Sequence, residues 1–165
     1  MMMVMALGIA GCDGDDDGPA PDARCFDYAS FEELPGMSLR EDVMPIFQSS
    51  CTFGNSCHGV ETGAAGKVYL GPSVGVSPSD MQLQVVLDQT VGKDPVINAG
   101  MPLITAGDAS QSFLMHKADG SLECPELACV EDESCGLSMP YGQDLLDPAS
   151  RNKVRSWILQ GAGLN

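Results

Sequence analysis

The chain has 165 residues, with 23 Asp and Glu against 8 Lys and Arg, for a formal net charge of −15. That length suits one domain with short appendages. The charge makes nucleic acid and anionic lipid surfaces poor partners and favours a protein with a basic docking face. Aromatic residues make up only 5%, a shortage that either a bound apolar group or a set of disulfides would offset.

Residues 1–11, MMMVMALGIAG, are apolar and too short to cross a bilayer as a helix. They read as the end of an export signal, and Leu7-Gly8-Ile9-Ala10-Gly11-Cys12 resembles a bacterial lipobox, in which the signal is cut before the Cys and that thiol is acylated. The alternative is an ordinary apolar N-terminus. DGDDDGPAPDA follows Cys12. It is dense in Asp, Gly and Pro, has no apolar periodicity and lacks the ligand ladder of a calcium loop, so residues 12–37 read as an acidic flexible tether. A domain spanning 38–165 follows.

Ser38-Leu39-Arg40-Glu41 has the form of a capping box. Leu39, Val43, Ile46 and Phe47 then recur at helical spacing, with Pro45 set to kink the helix or end its first half. This helix runs into CTFGNSCHG at 51–59, and residues 59–76 read as a Gly-rich loop. Ser77-Pro78-Ser79-Asp80 predicts a second helix with Pro at its first position and Met81, Val85 or Val86, and Leu87 on its buried stripe. A turn is expected at Gly92-Lys93-Asp94-Pro95, and a short helix after Asp108 carrying Phe113 and Leu114. Residues 120–136 hold Cys124, Cys129 and Cys135 among Gly, Glu and Asp. Their spacing is not that of a zinc site, so they read as a crosslinked surface excursion. The last helix is the clearest: Asp147 caps it, Pro148 opens it, and Val154, Trp157, Ile158 and Gly161 share one side. Arg151, Lys153 and Arg155 are expected to be mostly solvated. Without an alternating strand pattern, the fold class is all-α with long loops.

The chemistry gathers in CTFGNSCHG. A Cys followed directly by His, with a second Cys upstream, outlines a c-type haem attachment site, whose usual form is C-x-x-C-H; here five residues separate Cys51 from Cys57. Covalent haem needs two thiols, one per vinyl group, and a nitrogen ligand beneath the iron. Cys51 and Cys57 supply the thiols and His58 the nitrogen, and Gly54 and Asn55 tolerate the positive φ angles that an outward bulge would need. The alternative is a Cys51–Cys57 disulfide with His58 exposed. Cysteine parity does not choose between them. Without Cys12, six cysteines remain, so haem at Cys51 and Cys57 leaves Cys25, Cys124, Cys129 and Cys135 for two disulfides, and its absence leaves three. For the far face of the iron, Met139-Pro140 is the natural sulfur ligand. Met101-Pro102 is a second copy of the dipeptide, placed among loop residues; His116 as the second ligand would give a bis-His site, but it is more simply a partly exposed helix histidine.

The order of elements resembles a small c-type cytochrome domain: the helix at 38–50, CTFGNSCHG, a Gly-rich loop, middle helices, SMPYG at 138–142 and DPASRNKVRSWILQGA at 147–162. It is similar to the cytochrome c-like domains of bacterial lipoproteins. The resemblance covers residues 38–165 and implies thioether positions at Cys51 and Cys57, His58 and Met139 as axial ligands of haem c iron, and first and last helices that cross. The expectation is an exported electron-transfer protein, in the periplasm or at the cell surface, anchored to the inner or outer membrane through lipidated Cys12. It would trade single electrons with a redox partner protein and would not be a catalyst. Two other readings stand beside it. One is a haem-free, disulfide-stabilised binding or structural lipoprotein of cytochrome-like fold. The other is a peroxidase-like haem enzyme in which Met139 leaves the iron open.

Overall fold

The computed structural model describes residues 25–62, 68–97, 99–129 and 135–165. Cys12, the export segment and the DGDDDGPAPDA stretch lie outside them. Among the described residues the regular structure is helical, with isolated bridges such as Val91 to Ile104 and no strand. The class is therefore all-α, and no described helix is long and apolar enough to cross a membrane.

The first helix opens with a π-helical turn, Leu39–Val43, and continues as α1, Met44–Ser50. Ser38 caps it, its Oγ accepting from the Glu41 N–H at 3.3 Å. The box closes through Asp42, whose carboxylate accepts from the Ser38 N–H at 3.0 Å, one residue beyond the Glu41 expected. The N–H groups of Asp42 and Val43 both donate to the Ser38 carbonyl, at 3.0 and 3.2 Å. That widened turn absorbs the mismatch caused by Pro45, which lacks an N–H for the α-helical ladder, so the run continues through the proline.

Helix α2, Asp80–Thr90, starts at Ser79. The Ser79 Oγ accepts from the Gln82 N–H at 3.3 Å and the Gln82 amide oxygen accepts from the Ser79 N–H at 3.0 Å, which puts Pro78 before the cap. Leu83, Val86 and Thr90 are buried, whereas Met81, expected on that stripe, is 77% exposed. The 3.6-residue period places Met81 on the opposite side from Leu83 and Val86. Helix α3, Phe113–Asp119, ends on Gly120 at φ 70, a left-handed conformation that glycine adopts without a Cβ penalty. Asp108 shapes the turn before it, its Oδ1 accepting from the Ser110 and Gln111 N–H groups. Helix α4, Pro148–Leu159, carries the expected Asp147 cap, with Oδ1 accepting from the Ser150 N–H at 2.9 Å.

Val43, Met44 and Phe47 from the first helix, Leu83 and Val86 from α2, Met115 from α3, and Val154, Trp157 and Ile158 from α4 close on one core, with Tyr69, Leu70 and Ile104 from the connections. Full burial of each such aliphatic side chain stabilises by about 1.5–3 kcal/mol. Trp157 is fully buried, and its indole N–H donates to the Gly163 carbonyl at 2.8 Å, so no polar atom is stranded. Helix α4 packs against both Leu39–Val43 and α3. A second, smaller cluster joins Ala99, Met101, Phe113 and Cys135.

Two further expectations are corrected here. Arg155 is fully buried, not solvated. Its guanidinium meets the Asp119 carboxylate at 2.7 Å and lies 3.4 Å from the Phe26 ring centroid, while Arg151 reaches the same carboxylate at 3.0 Å. A buried guanidinium survives because its charge is paired and one face is stacked. The second correction is to the tether, which does not extend to residue 37. Cys25 is bonded to Cys124, the Tyr28 hydroxyl donates to the Ala109 carbonyl at 3.1 Å, the Leu34 N–H to the Ser156 Oγ at 2.9 Å and the Met37 N–H to Gln160 at 2.8 Å. Phe26, Tyr28 and Phe31 supply the apolar surface that DGDDDGPAPDA lacks, so residues 25–37 lie on the helical body.

Candidate functional site

CTFGNSCHG begins where α1 ends. The Cys51 N–H donates to the Phe47 carbonyl at 2.7 Å and the Thr52 N–H to the same oxygen at 3.0 Å, satisfying the first of the helix's last four carbonyls. Gly54 takes φ 73 and opens a single 3-10 turn, Gly54–Ser56, the bulge that the long Cys-to-Cys gap calls for. The His58 N–H then donates back to the Cys51 carbonyl at 3.0 Å, so the chain closes on itself and Cys51, Cys57 and His58 share one turn. Gly59 permits this closure, because a Cβ there would sit 2.7 Å from the Thr52 carbonyl oxygen. Thr52 is itself buried, its hydroxyl donating to the Pro72 carbonyl at 3.1 Å.

Neither thiol is in a disulfide. Four other cysteines are, as Cys25–Cys124 and Cys129–Cys135, so the pairing that leaves Cys51 and Cys57 free is the one found. Cys51 is half-buried against the main core. Burial, and secondarily the neighbouring Cys57, push its thiol up to about 12, which keeps it protonated and slow to oxidise at neutral pH.

His58 is half-buried, and its Nδ1 lies 2.9 Å from the Val68 carbonyl oxygen. A carbonyl can only accept, so Nδ1 carries a proton, and in the neutral ring Nε2 then holds the lone pair. An outer hydrogen bond of this kind is what orients an imidazole for a metal. The Leu70 N–H donates to the His58 carbonyl at 3.0 Å, tying the turn to the core at Tyr69 and Leu70.

His116 is unlike His58. It is buried, not partly exposed, with Nδ1 at 3.0 Å from the Ser121 hydroxyl and Nε2 at 3.1 Å from the Ser110 carbonyl. Both nitrogens are occupied, which fits a structural histidine and removes the bis-His alternative from this conformation. Met101 is buried in the second cluster with Phe113 and Cys135, the position of a core filler. Met139 is half-buried on a separate segment, its N–H donating to the Lys117 carbonyl at 2.9 Å. The turn at 51–59 and the Met139 segment are thus built on different helix ends, α1 and α3.

Among the described residues, the one trio of Cys, His or carboxylate side chains whose ligand atoms converge within 4.8 Å is Cys25, Cys124 and Glu126. Two of these are spent in a disulfide, so the trio is no metal site. Cys51, Cys57 and His58 do not converge that tightly. Two separated free thiols and an oriented imidazole suit a broad group bound at several points better than a bare ion. Two thiols followed directly by a histidine are the donor types of a C-x-x-C-H haem attachment site. Comparison with protein-family models, curated proteins and solved structures finds no match to this chain.

Proposed function

We propose that this protein is an exported, lipid-anchored c-type cytochrome that passes single electrons between partner proteins. The observation that carries this reading is the turn at 51–59: two unpaired thiols beside an imidazole whose Nδ1 is committed to Val68, leaving Nε2 as a ligand. Cys51 and Cys57 would carry the thioethers, His58 one axial position and Met139 the other. Haem bound there supplies reversible one-electron chemistry. The protein's part is to exclude water with Tyr69, Leu70 and the rest of the core, to orient His58 through Val68 and to present a thioether sulfur, which raises the potential. With both axial places filled, the protein would carry electrons rather than turn over a substrate. Cys12 would hold it to a membrane on the exported side, and the net charge of −15 would steer a redox partner with a basic face toward it.

The test is expression with cytochrome maturation factors, followed by a reducing, denaturing gel stained for haem. A stained band is expected. A colourless band, with Cys51 found paired to Cys57, would overturn the proposal in favour of a haem-free binding or structural lipoprotein. In the stained protein, Met139→Ala is expected to abolish the sulfur-to-iron absorption band and lower the potential, and Met101→Ala to do neither. A high-spin spectrum in the unmutated protein would instead support the peroxidase-like reading.

A further inference from the structure

We infer that Lys117 is the positioning residue for Met139, an inference that rests on the axial role proposed for that methionine. Lys117 lies in the last turn of α3 and meets the 135–139 segment three times. Its ammonium donates to the Cys135 carbonyl and, at 3.0 Å, to the Leu137 carbonyl. Its own backbone carbonyl, in the last turn of α3, accepts the Met139 N–H at 2.9 Å. One residue thus holds the backbone at 135, 137 and 139.

The fit around the ammonium is close. Gly136 takes φ 75, and a Cβ there would come within 2.8 Å of the Lys117 nitrogen and 3.0 Å of the Ile97 side chain. Phe113, one turn earlier on α3, sets its ring 5.0 Å from the same nitrogen, a cation–π contact that fixes the lysine side chain from below. The Cys129–Cys135 disulfide ties the start of the segment to the second cluster. The ammonium then spans from that crosslink toward Met139. Charged hydrogen bonds of this kind, partly withdrawn from water, are stronger than neutral ones. A sulfur ligand is weak, and a loop free to drift would release it. A loop held at alternate residues would not.

Lys117→Met keeps the apolar stem over Phe113 and removes both donors. The first measurement uses the haem-free chain: amide hydrogen exchange at Met139, whose N–H is bonded to the Lys117 carbonyl, with the amides of α4 as an internal reference. Exchange about tenfold faster at Met139, with α4 unchanged, is expected. Unchanged exchange at Met139 overturns the inference whatever the haem result. Global acceleration that includes α4 also overturns it, because Lys117 would then be a general stabiliser. The second measurement uses the haem-loaded protein. Lys117→Met is expected to lose at least half of the sulfur-to-iron band, with haem staining equal to the parent and Lys117→Arg restoring part of the band. A full band and an unchanged potential in Lys117→Met sink the inference. If instead the band survives Met139→Ala, the ligand assignment fails, and the exchange result still decides whether Lys117 holds the segment.

Discussion

At the scale of single residues, the chemistry of CTFGNSCHG depends on how far each group is removed from water. Burial moves the Cys51 thiol from 9.0 up to about 12. The folded chain therefore holds that proton more tightly than the unfolded chain does. The resulting stabilisation is complete below about pH 9 and is lost as the pH rises from there toward about 12. At pH 8 the thiolate, which is the reactive form, is correspondingly scarce. Iodoacetamide labelling of Cys51 in the haem-free native protein is expected to be roughly a hundredfold slower than in urea, allowing for the greater nucleophilicity of a less acidic thiol. Equal rates by mass spectrometry would show that the thiol is not desolvated. Chemistry at this scale was partly legible in advance. Cys51, Cys57 and His58 stand out by type and spacing. The burial of Arg155 does not, because an arginine on a helix looks solvated until Asp119 and Phe26 are brought to it from elsewhere in the chain.

At the scale of elements, the caps were the most readable features. Asp147 with Ser150 and Ser38 with Glu41 act over three residues, within reach of a local pattern, whereas α2 starts two residues later than Pro78 at the first helical position would put it, on a Ser79–Gln82 box. Ser79→Ala is expected to cost about 1 kcal/mol in urea unfolding, since it leaves the Gln82 N–H without its partner. A loss below a few tenths would mean that the box is not stabilising α2. Faces were harder to read than ends. Met81 points to solvent and Leu83 to the core, and a two-residue offset is enough to interchange such assignments. The π-helical turn before Pro45 also escaped local reading, because the proline signals a break and only the packing of Leu39 and Val43 into the core shows how the break is avoided.

At the scale of the whole molecule, the two disulfides close loops of very different length. Cys25–Cys124 spans 99 residues and Cys129–Cys135 spans 6. On the chain-entropy account, removing the first costs about 4–5 kcal/mol and the second about 2. The double variant Cys25→Ser with Cys124→Ser is therefore expected to lose more stability in urea than Cys129→Ser with Cys135→Ser, by about 2 kcal/mol. The reverse order would show that residues 25–37 are held by Tyr28, Leu34 and Met37 without help from the crosslink.

The amino-acid sequence by itself determined the helical class, the start of α4, and the turn in which two cysteines and a histidine meet. Each follows from periods, caps and spacings that operate within a few residues, where the backbone leaves few choices. Tertiary structure decided the rest: which cysteines pair, that His58 keeps Nε2 free while His116 spends both nitrogens, that residues 25–37 belong to the body, and that Lys117 grips the segment carrying Met139. These depend on contacts between residues remote in the chain. Their free energies come from burial and from hydrogen bonds made only after the helices have packed.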